Sequence, residues 1–220
     1  MRTISRLGRA LTLAALLPAA AAAQQASAPI ENSWFWGAGG GRISFPTHFH
    51  RIDAPTINAD WLITRQRWAL QVYAAQAYFT DSSTVADPNS SGLRKALITD
   101  LRRVGFQGIV FLPNWTWFRP YAGVGYSFNY IKQAEPIGTF FNNAAARDSA
   151  EQRVNSAKSK AKATFSGGFM ITWHKFAPYA QYTVMPTKGT GDWLINGDGA
   201  TSFWEVGLRY NFGSSIERVK

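Results

Sequence analysis

Residues 118–131 read FRPYAGVGYSFNYI, and the order of side chains in this stretch decides the fold. Even positions carry Phe118, Pro120, Ala122, Val124, Tyr126, Phe128 and Tyr130, while odd positions carry Arg119, Tyr121, Gly123, Gly125, Ser127 and Asn129. Successive side chains of a strand point to opposite faces, so this segment has one apolar face and one small or polar face. The last strand-like run, Thr201–Phe212, repeats the pattern. It sets Trp204, Val206, Leu208, Tyr210 and Phe212 against Thr201, Glu205, Gly207, Arg209 and Asn211. Ala163–Trp173 does so again, with Phe165, Phe169, Ile171 and Trp173 opposite Thr164, Ser166, Gly168 and Thr172.

Five further segments have strand content. Phe176–Met185 and Ile57–Thr64 alternate loosely, and Trp68–Phe79 alternates to about Ala74 before breaking at Gln76. Val104–Leu112 and Trp34–Phe45 are rich in strand formers, but their two faces cannot be told apart. The total is eight strands. Their connections alternate in length: residues 46–55, 80–102, 132–162 and 186–200 are long. Arg65-Gln66-Arg67, Pro113–Trp117 and His174-Lys175 are tight. Membrane-spanning barrels have short turns on one side and long loops on the other, and strands of about 9–11 residues cross a bilayer when tilted. No run after the N-terminus approaches the 18 apolar residues of a membrane helix. The expectation is an all-β chain, an eight-stranded antiparallel up-and-down transmembrane barrel.

Composition and charge fit an exported protein. Charged residues are 16%, aromatics 15% with nine Trp, and Cys is absent. Few charges and many aromatics exclude intrinsic disorder. The lack of Cys excludes a disulfide framework, a Cys-based zinc site and a lipidated N-terminal Cys. A net charge of +10 would suit a nucleic-acid binder, but Arg2, Arg6 and Arg9 precede the apolar run Leu11–Ala23. That is a signal peptide over residues 1–23, with Ala21-Ala22-Ala23 as the cleavage pattern. Its 13 apolar residues fall short of the roughly 20 that span a bilayer. Removing its three arginines leaves 20 basic against 13 acidic residues, a net +7. Export leaves no nucleic acid to bind. The chain then divides into an N-terminal segment 24–32, a barrel 33–212 and a periplasmic tail 213–220.

Trp34, Trp36, Trp68, Trp115, Trp117 and Trp173 fall at strand ends beside the tight turns or the N-terminus. Amphipathic rings gain by lying between headgroups and hydrocarbon, so these six are expected to form an aromatic girdle.

RPYAGVGYSFNY and the later WEVGLRYNF make the chain resemble the small outer-membrane β-barrel family of OmpA/OmpX type, over most of residues 33–212. The resemblance implies insertion in the outer membrane of a diderm bacterium, among its lipids and lipopolysaccharide. It also implies assembly by the barrel-assembly machinery, with Tyr210 and Phe212 as the aromatic ending that machinery reads. Gly213–Lys220 after Phe212 departs from that pattern. The expected state is a monomer, and its role structural or adhesive.

Eight strands enclose an interior just wide enough for side chains to fill. Strand parity points Asp60, Arg119, Glu205 and Arg209 inward, together with Tyr121, Tyr179, Gln181 and Asn211. An isolated buried ion costs several kcal/mol, so these charges are expected to pair and plug the lumen. Glu205 and Arg209 lie four apart on one strand, roughly 13 Å, so each must find its partner on another strand.

In the third loop, AAARDSAEQRVNSAKSKAK (residues 144–162) combines good helix formers with Arg153, Lys158, Lys160 and Lys162. These cations are candidates for contact with lipopolysaccharide phosphates. A helix this short is marginal alone in water and needs a surface to dock on. For catalysis the inventory is thin. His48, His50 and Asp53 form H-x-H-x-x-D, too weak a pattern to assign a metal, and no cofactor is indicated. His48 or His50 with Ser82 or Ser83 could activate a hydroxyl for acyl transfer. This set is similar in type to that of the eight-stranded lipid A acyltransferases, an alternative role. A further alternative is a secreted lipocalin-like carrier, which would turn its apolar face inward around a ligand. Ser33–Gly37 (SWFWG) lacks the Gly-x-Trp element such a carrier resembles.

Overall fold

The computed structural model describes residues 32–80, 84–86, 95–112, 117–138, 143–188, 193–195 and 199–215. The signal peptide 1–23, Ser82, Trp115 and residues 216–220 lie outside the described residues.

The elements run β1 (Ser33–Pro46), β2 (Arg51–Arg65), β3 (Trp68–Tyr78), β4 (Thr84–Ala86), β5 (Lys95–Ile98), β6 (Asp100–Phe111), β7 (Phe118–Ile131), β8 (Ala134–Ile137), α1 (Ala144–Ser156), β9 (Ser159–Ile171), β10 (Phe176–Pro186) and β11 (Ala200–Ser214). Eight of the strands close a barrel in the order β1-β11-β10-β9-β7-β6-β3-β2, every neighbouring pair antiparallel. The expected eight-stranded up-and-down barrel is the fold observed. Closure leaves no unpaired strand edge. Its seam pairs β1 with β11 from Ser33↔Ser214 to Ser44↔Ser202, with one irregularity between Trp34 and Phe35.

At one end the turns are tight. Gln66-Arg67 joins β2 to β3, and His174-Lys175 joins β9 to β10 through the Trp173↔Phe176 bridge. Gln66 and His174 adopt φ of 55° and 57°, the left-handed conformation that lets a two-residue turn match the twist of its strands.

The other end differs from the expected long loops. Only Thr47–His50 separate β1 from β2, because β2 begins at Arg51. Asp53 and Pro55 look like turn residues in sequence, but they occupy the exposed face of a strand whose other face buries Ile52, Ala54 and Thr56. Residues 80–102 hold β4, β5 and the start of β6, and residues 132–162 hold β8, α1 and the start of β9. Strands β4, β5 and β8 pair into a small separate sheet. Alternation in β3 does not break at Gln76; it runs on to Tyr78 with Gln76 facing outward.

Helix α1 starts at Asn143, whose side chain accepts from the Ala146 N–H at 3.1 Å. Arg147 and Glu151 pair at 3.0 Å on its exposed side. Ala150 and Val154 are its buried residues, and Val154 with Ala157 joins an apolar cluster over the barrel mouth. The surface that an isolated helix would lack is therefore supplied by the barrel.

Candidate functional site

The barrel wall is apolar on the outside. Ile57, Val124, Phe128 and Val206 are each more than half exposed, and alternate residues point inward. Among the girdle residues Trp36, Trp68, Trp117 and Trp173 are also more than half exposed, all near the tight-turn end. Trp34 is half-buried against Trp61 and Phe212, with ring centroids 5.0 and 6.2 Å away. Trp61 was missed in sequence because β2 alternates only loosely in type; it stacks on Trp36 at 5.7 Å. Tyr210 and Phe212 lie on the same outward face of β11, and β11 continues past them to Ser214.

Inside, side chains fall into three strata. Nearest the tight turns, Phe35, Leu62, Ile109, Phe111, Met170 and Ala177 pack together. Above them lies a polar layer. Asp60 Oδ2 accepts from Arg209 Nη2 at 2.6 Å, from Arg209 Nε at 2.8 Å and from Gln71 Nε2 at 2.5 Å. Gln71 in turn accepts from Gln107, whose own carbonyl oxygen accepts from the Ser166 hydroxyl at 2.9 Å. Tyr121 donates to Gln181 at 3.0 Å, and Gln181 reaches Glu205 at 3.5 Å. Glu205 pairs with Arg103 at 2.8 Å. Both guanidinium groups lie on rings, Arg209 over Tyr179 at 3.9 Å and Arg103 over Phe203 at 3.6 Å.

Room for this layer comes from glycine. Gly37 lies opposite both Asp60 and Arg209 in register, and a Cβ there would fall 1.8 Å from Asp60 Oδ1 and 2.8 Å from Arg209 Cγ. A Cβ at Gly39 would fall 2.8 Å from the Tyr179 hydroxyl. The alternation Gly37-x-Gly39-x-Gly41 was the signal that β1 turns these positions to a crowded interior.

Asp60, Glu205 and Arg209 thus lie in the polar layer. Arg119 shares their inward parity but stands at the turn-side end of β7, half-buried and level with Met170. Arg103 was missed because β6 was expected to start at Val104; its start at Asp100 turns Arg103 inward.

Toward the loops an apolar stratum covers the polar one. Ile43, Phe45, Ile52, Leu101, Ile131, Met185 and Phe203 come from the barrel. Onto them pack Val85, Ala96 and Ile98 of the small sheet, Val154 of α1, and Trp193-Leu194-Ile195 from the β10–β11 connection. The Leu194 N–H donates to the Ala157 carbonyl at 3.1 Å, tying that connection to the end of α1.

The remaining candidates lie apart from these strata. His48 and His50 are exposed in the Thr47–His50 turn. The Thr47 hydroxyl organises that turn, accepting from the N–H groups of Phe49 and His50 and donating to the His50 carbonyl at 2.6 Å. Among the described residues no three His, Cys, Asp or Glu side chains are grouped to hold a metal. Arg153 and Lys158 are half-buried at the end of α1. Lys160 and Lys162 belong to β9 rather than to a loop, on the strand face that carries Thr164 and Ser166.

No family model matches the chain, and no curated protein matches it. Among solved structures the chain is similar to Neisserial surface protein A, with 10% identity and a TM-score of 0.55 over 81% of this chain and 97% of that one. It is also similar to Ail, the attachment invasion locus protein of Yersinia pestis, in complex with the heparin analogue sucrose octasulfate. That match has 13% identity and a TM-score of 0.49 over 83% and 99%. For the outer membrane protein OprG from Pseudomonas aeruginosa the values are 10% and 0.49 over 84% and 98%. At such identities the likeness speaks to the fold alone.

Proposed function

We propose that the chain is an integral outer-membrane barrel, exported by cleavage after Ala23, that does not conduct and instead holds a rigid cap at the cell surface. The observation that carries this reading is the inversion of polarity across the wall. The exposed face is apolar between aromatic ends, while the buried face holds two ion pairs sealed between apolar strata. A carrier in water requires the opposite arrangement, with the apolar face inward. The same inversion places the tight turns in the periplasm and the cap outside.

The role follows from the cap. A folded layer of β-sheet, α1 and the Trp193–Ile195 segment presents fixed chemistry, suited to contact with lipopolysaccharide or an external partner. Arg153 and Lys158 are the cap cations offered to phosphates. Tyr210 and Phe212 serve as the aromatic ending for the assembly machinery, and the protein acts as a monomer. No catalytic role is assigned to His48 or His50, which the turn already accounts for.

The test is fractionation followed by electrophoresis with and without heating, then conductance of the purified protein in planar bilayers. Heat-modifiable migration of the outer-membrane fraction and no single-channel current are expected. Recovery in the soluble fraction without detergent overturns the membrane reading, and steady current overturns the closed interior.

A further inference from the structure

The outer wall carries a groove of about 450 Å³ on β2, β3 and β6. Its outward lining is Ile57, Ala59, Ala74, Gln76, Arg102 and Val104. Register explains the hollow. Trp61, Val72 and Phe106 stand side by side in one row, and the next outward row toward the cap is Ala59, Ala74 and Val104. The row after that is Ile57, Gln76 and Arg102. Bulky rings therefore bound the groove below, and Phe128 and Tyr130 of β7, paired with Val104 and Arg102, wall it on one side.

Depth and charge indicate what fills it. Gln76, level with Arg102, lies eight residues along β3 from Trp68 in the turn-side girdle. At about 3.3 Å per residue and a tilt near 40°, that is roughly 20 Å along the membrane normal, against an apolar band about 25 Å tall. Arg102 thus stands near the outer headgroup boundary and the alanine floor lies in hydrocarbon. The neighbouring carboxylate is already engaged, since Asp100 accepts from Gln76 at 3.4 Å and lies 3.9 Å from Lys132. Among the described residues Arg102 has no ion pair. A lipid-facing cation above an apolar slot is complementary to an anion carried on an acyl chain.

We infer that this groove binds a phosphorylated, acylated lipid of the outer leaflet, of the lipid A class. An acyl chain lies on Ala59 and Ala74, and a phosphate is held by Arg102. The inference rests on the membrane orientation proposed above. It is tested by native mass spectrometry of the full mature chain in nanodiscs containing either lipid A or phosphatidylcholine of matched chain length. Wild type is expected to retain lipid A in preference to phosphatidylcholine. Arg102→Gln lowers retention of lipid A about fivefold and leaves phosphatidylcholine unchanged, the effect of one cation at an anionic surface. Ala74→Phe fills the slot and lowers retention of lipid A, while Val124→Phe on the far wall changes nothing. Lipid A held as tightly by Arg102→Gln and Ala74→Phe as by wild type overturns the site, as does equal retention of both lipids by wild type. A chain that inserts and migrates as a folded barrel yet fails these tests refutes the groove alone; a chain that does not insert refutes the membrane reading with it.

Discussion

Breaking the Asp60–Arg209 pair is the most direct probe of the interior. Both side chains are fully buried, and the Asp60 carboxylate accepts three hydrogen bonds on one oxygen, two from Arg209 and one from Gln71. Arg209→Met removes the guanidinium and leaves a carboxylate with only an amide donor, in a layer sealed by apolar strata on both sides. Stranding one charge of a buried pair costs about 3–5 kcal/mol. Asp60→Leu strands the Arg209 cation in the same way, with the Tyr179 ring as its remaining neighbour. The double variant strands nothing, so its cost is expected to be well below the sum of the two, with a coupling energy above roughly 1.5 kcal/mol. Urea unfolding in lipid vesicles, followed by tryptophan fluorescence, gives the four free energies of the cycle. Single variants costing under about 1 kcal/mol, or costs that simply add, would refute the claim that this pair is desolvated and mutually dependent.

Three further outcomes follow from the same geometry. Gly37→Ala drives a methyl into the Asp60–Arg209 pair and is expected to destabilise by about 1–3 kcal/mol, measured as a lowered urea midpoint. Trp193→Ala removes the largest fully buried side chain of the cap, for about 3–5 kcal/mol of local stability. Trypsin should then cut at Arg147 or Arg153 far faster while heat-modifiable migration of the barrel persists; an unchanged digestion pattern counts against a packed cap. Val124→Arg at the middle of the outward face should cost about 2–4 kcal/mol in a bilayer, whereas a water-facing position would tolerate it within a few tenths. Equilibrium refolding into vesicles separates those two values.

Much of the barrel was legible in the sequence because its signal is local. A strand that faces lipid on one side and a filled interior on the other must alternate, and Phe118–Ile131 shows that without any partner. The strands that read poorly had identifiable reasons. β1 turns glycines inward, so its buried face carries no side chains to recognise. β2 buries Thr56, Asn58 and Asp60 and exposes Ile57, which inverts the usual hydrophobic reading. In β6, Arg102 and Arg103 look alike, and only register turns one to the lipid side and the other to Glu205.

Arg119 illustrates the limit of parity. It has the inward phase of its strand, yet phase says nothing of height, and height separates the turn-side end from the polar layer. The cap was harder still, since β4, β5, β8 and Trp193–Ile195 are short segments of low periodicity. They are held by contacts with residues far away in the chain, which no local pattern records.

The amino-acid order alone determined that the chain alternates, how many strands it forms, which faces are apolar and where the aromatic ends fall. Those properties follow from backbone geometry acting over a few residues at a time. Tertiary structure decided which charges meet, that Gly37 clears space for them, and that the long connections fold back into a cap. It also decided that alanines on separate strands line up beneath Arg102. Each of these depends on the register between strands distant in sequence, and register is set by closure of the whole barrel rather than by any one segment.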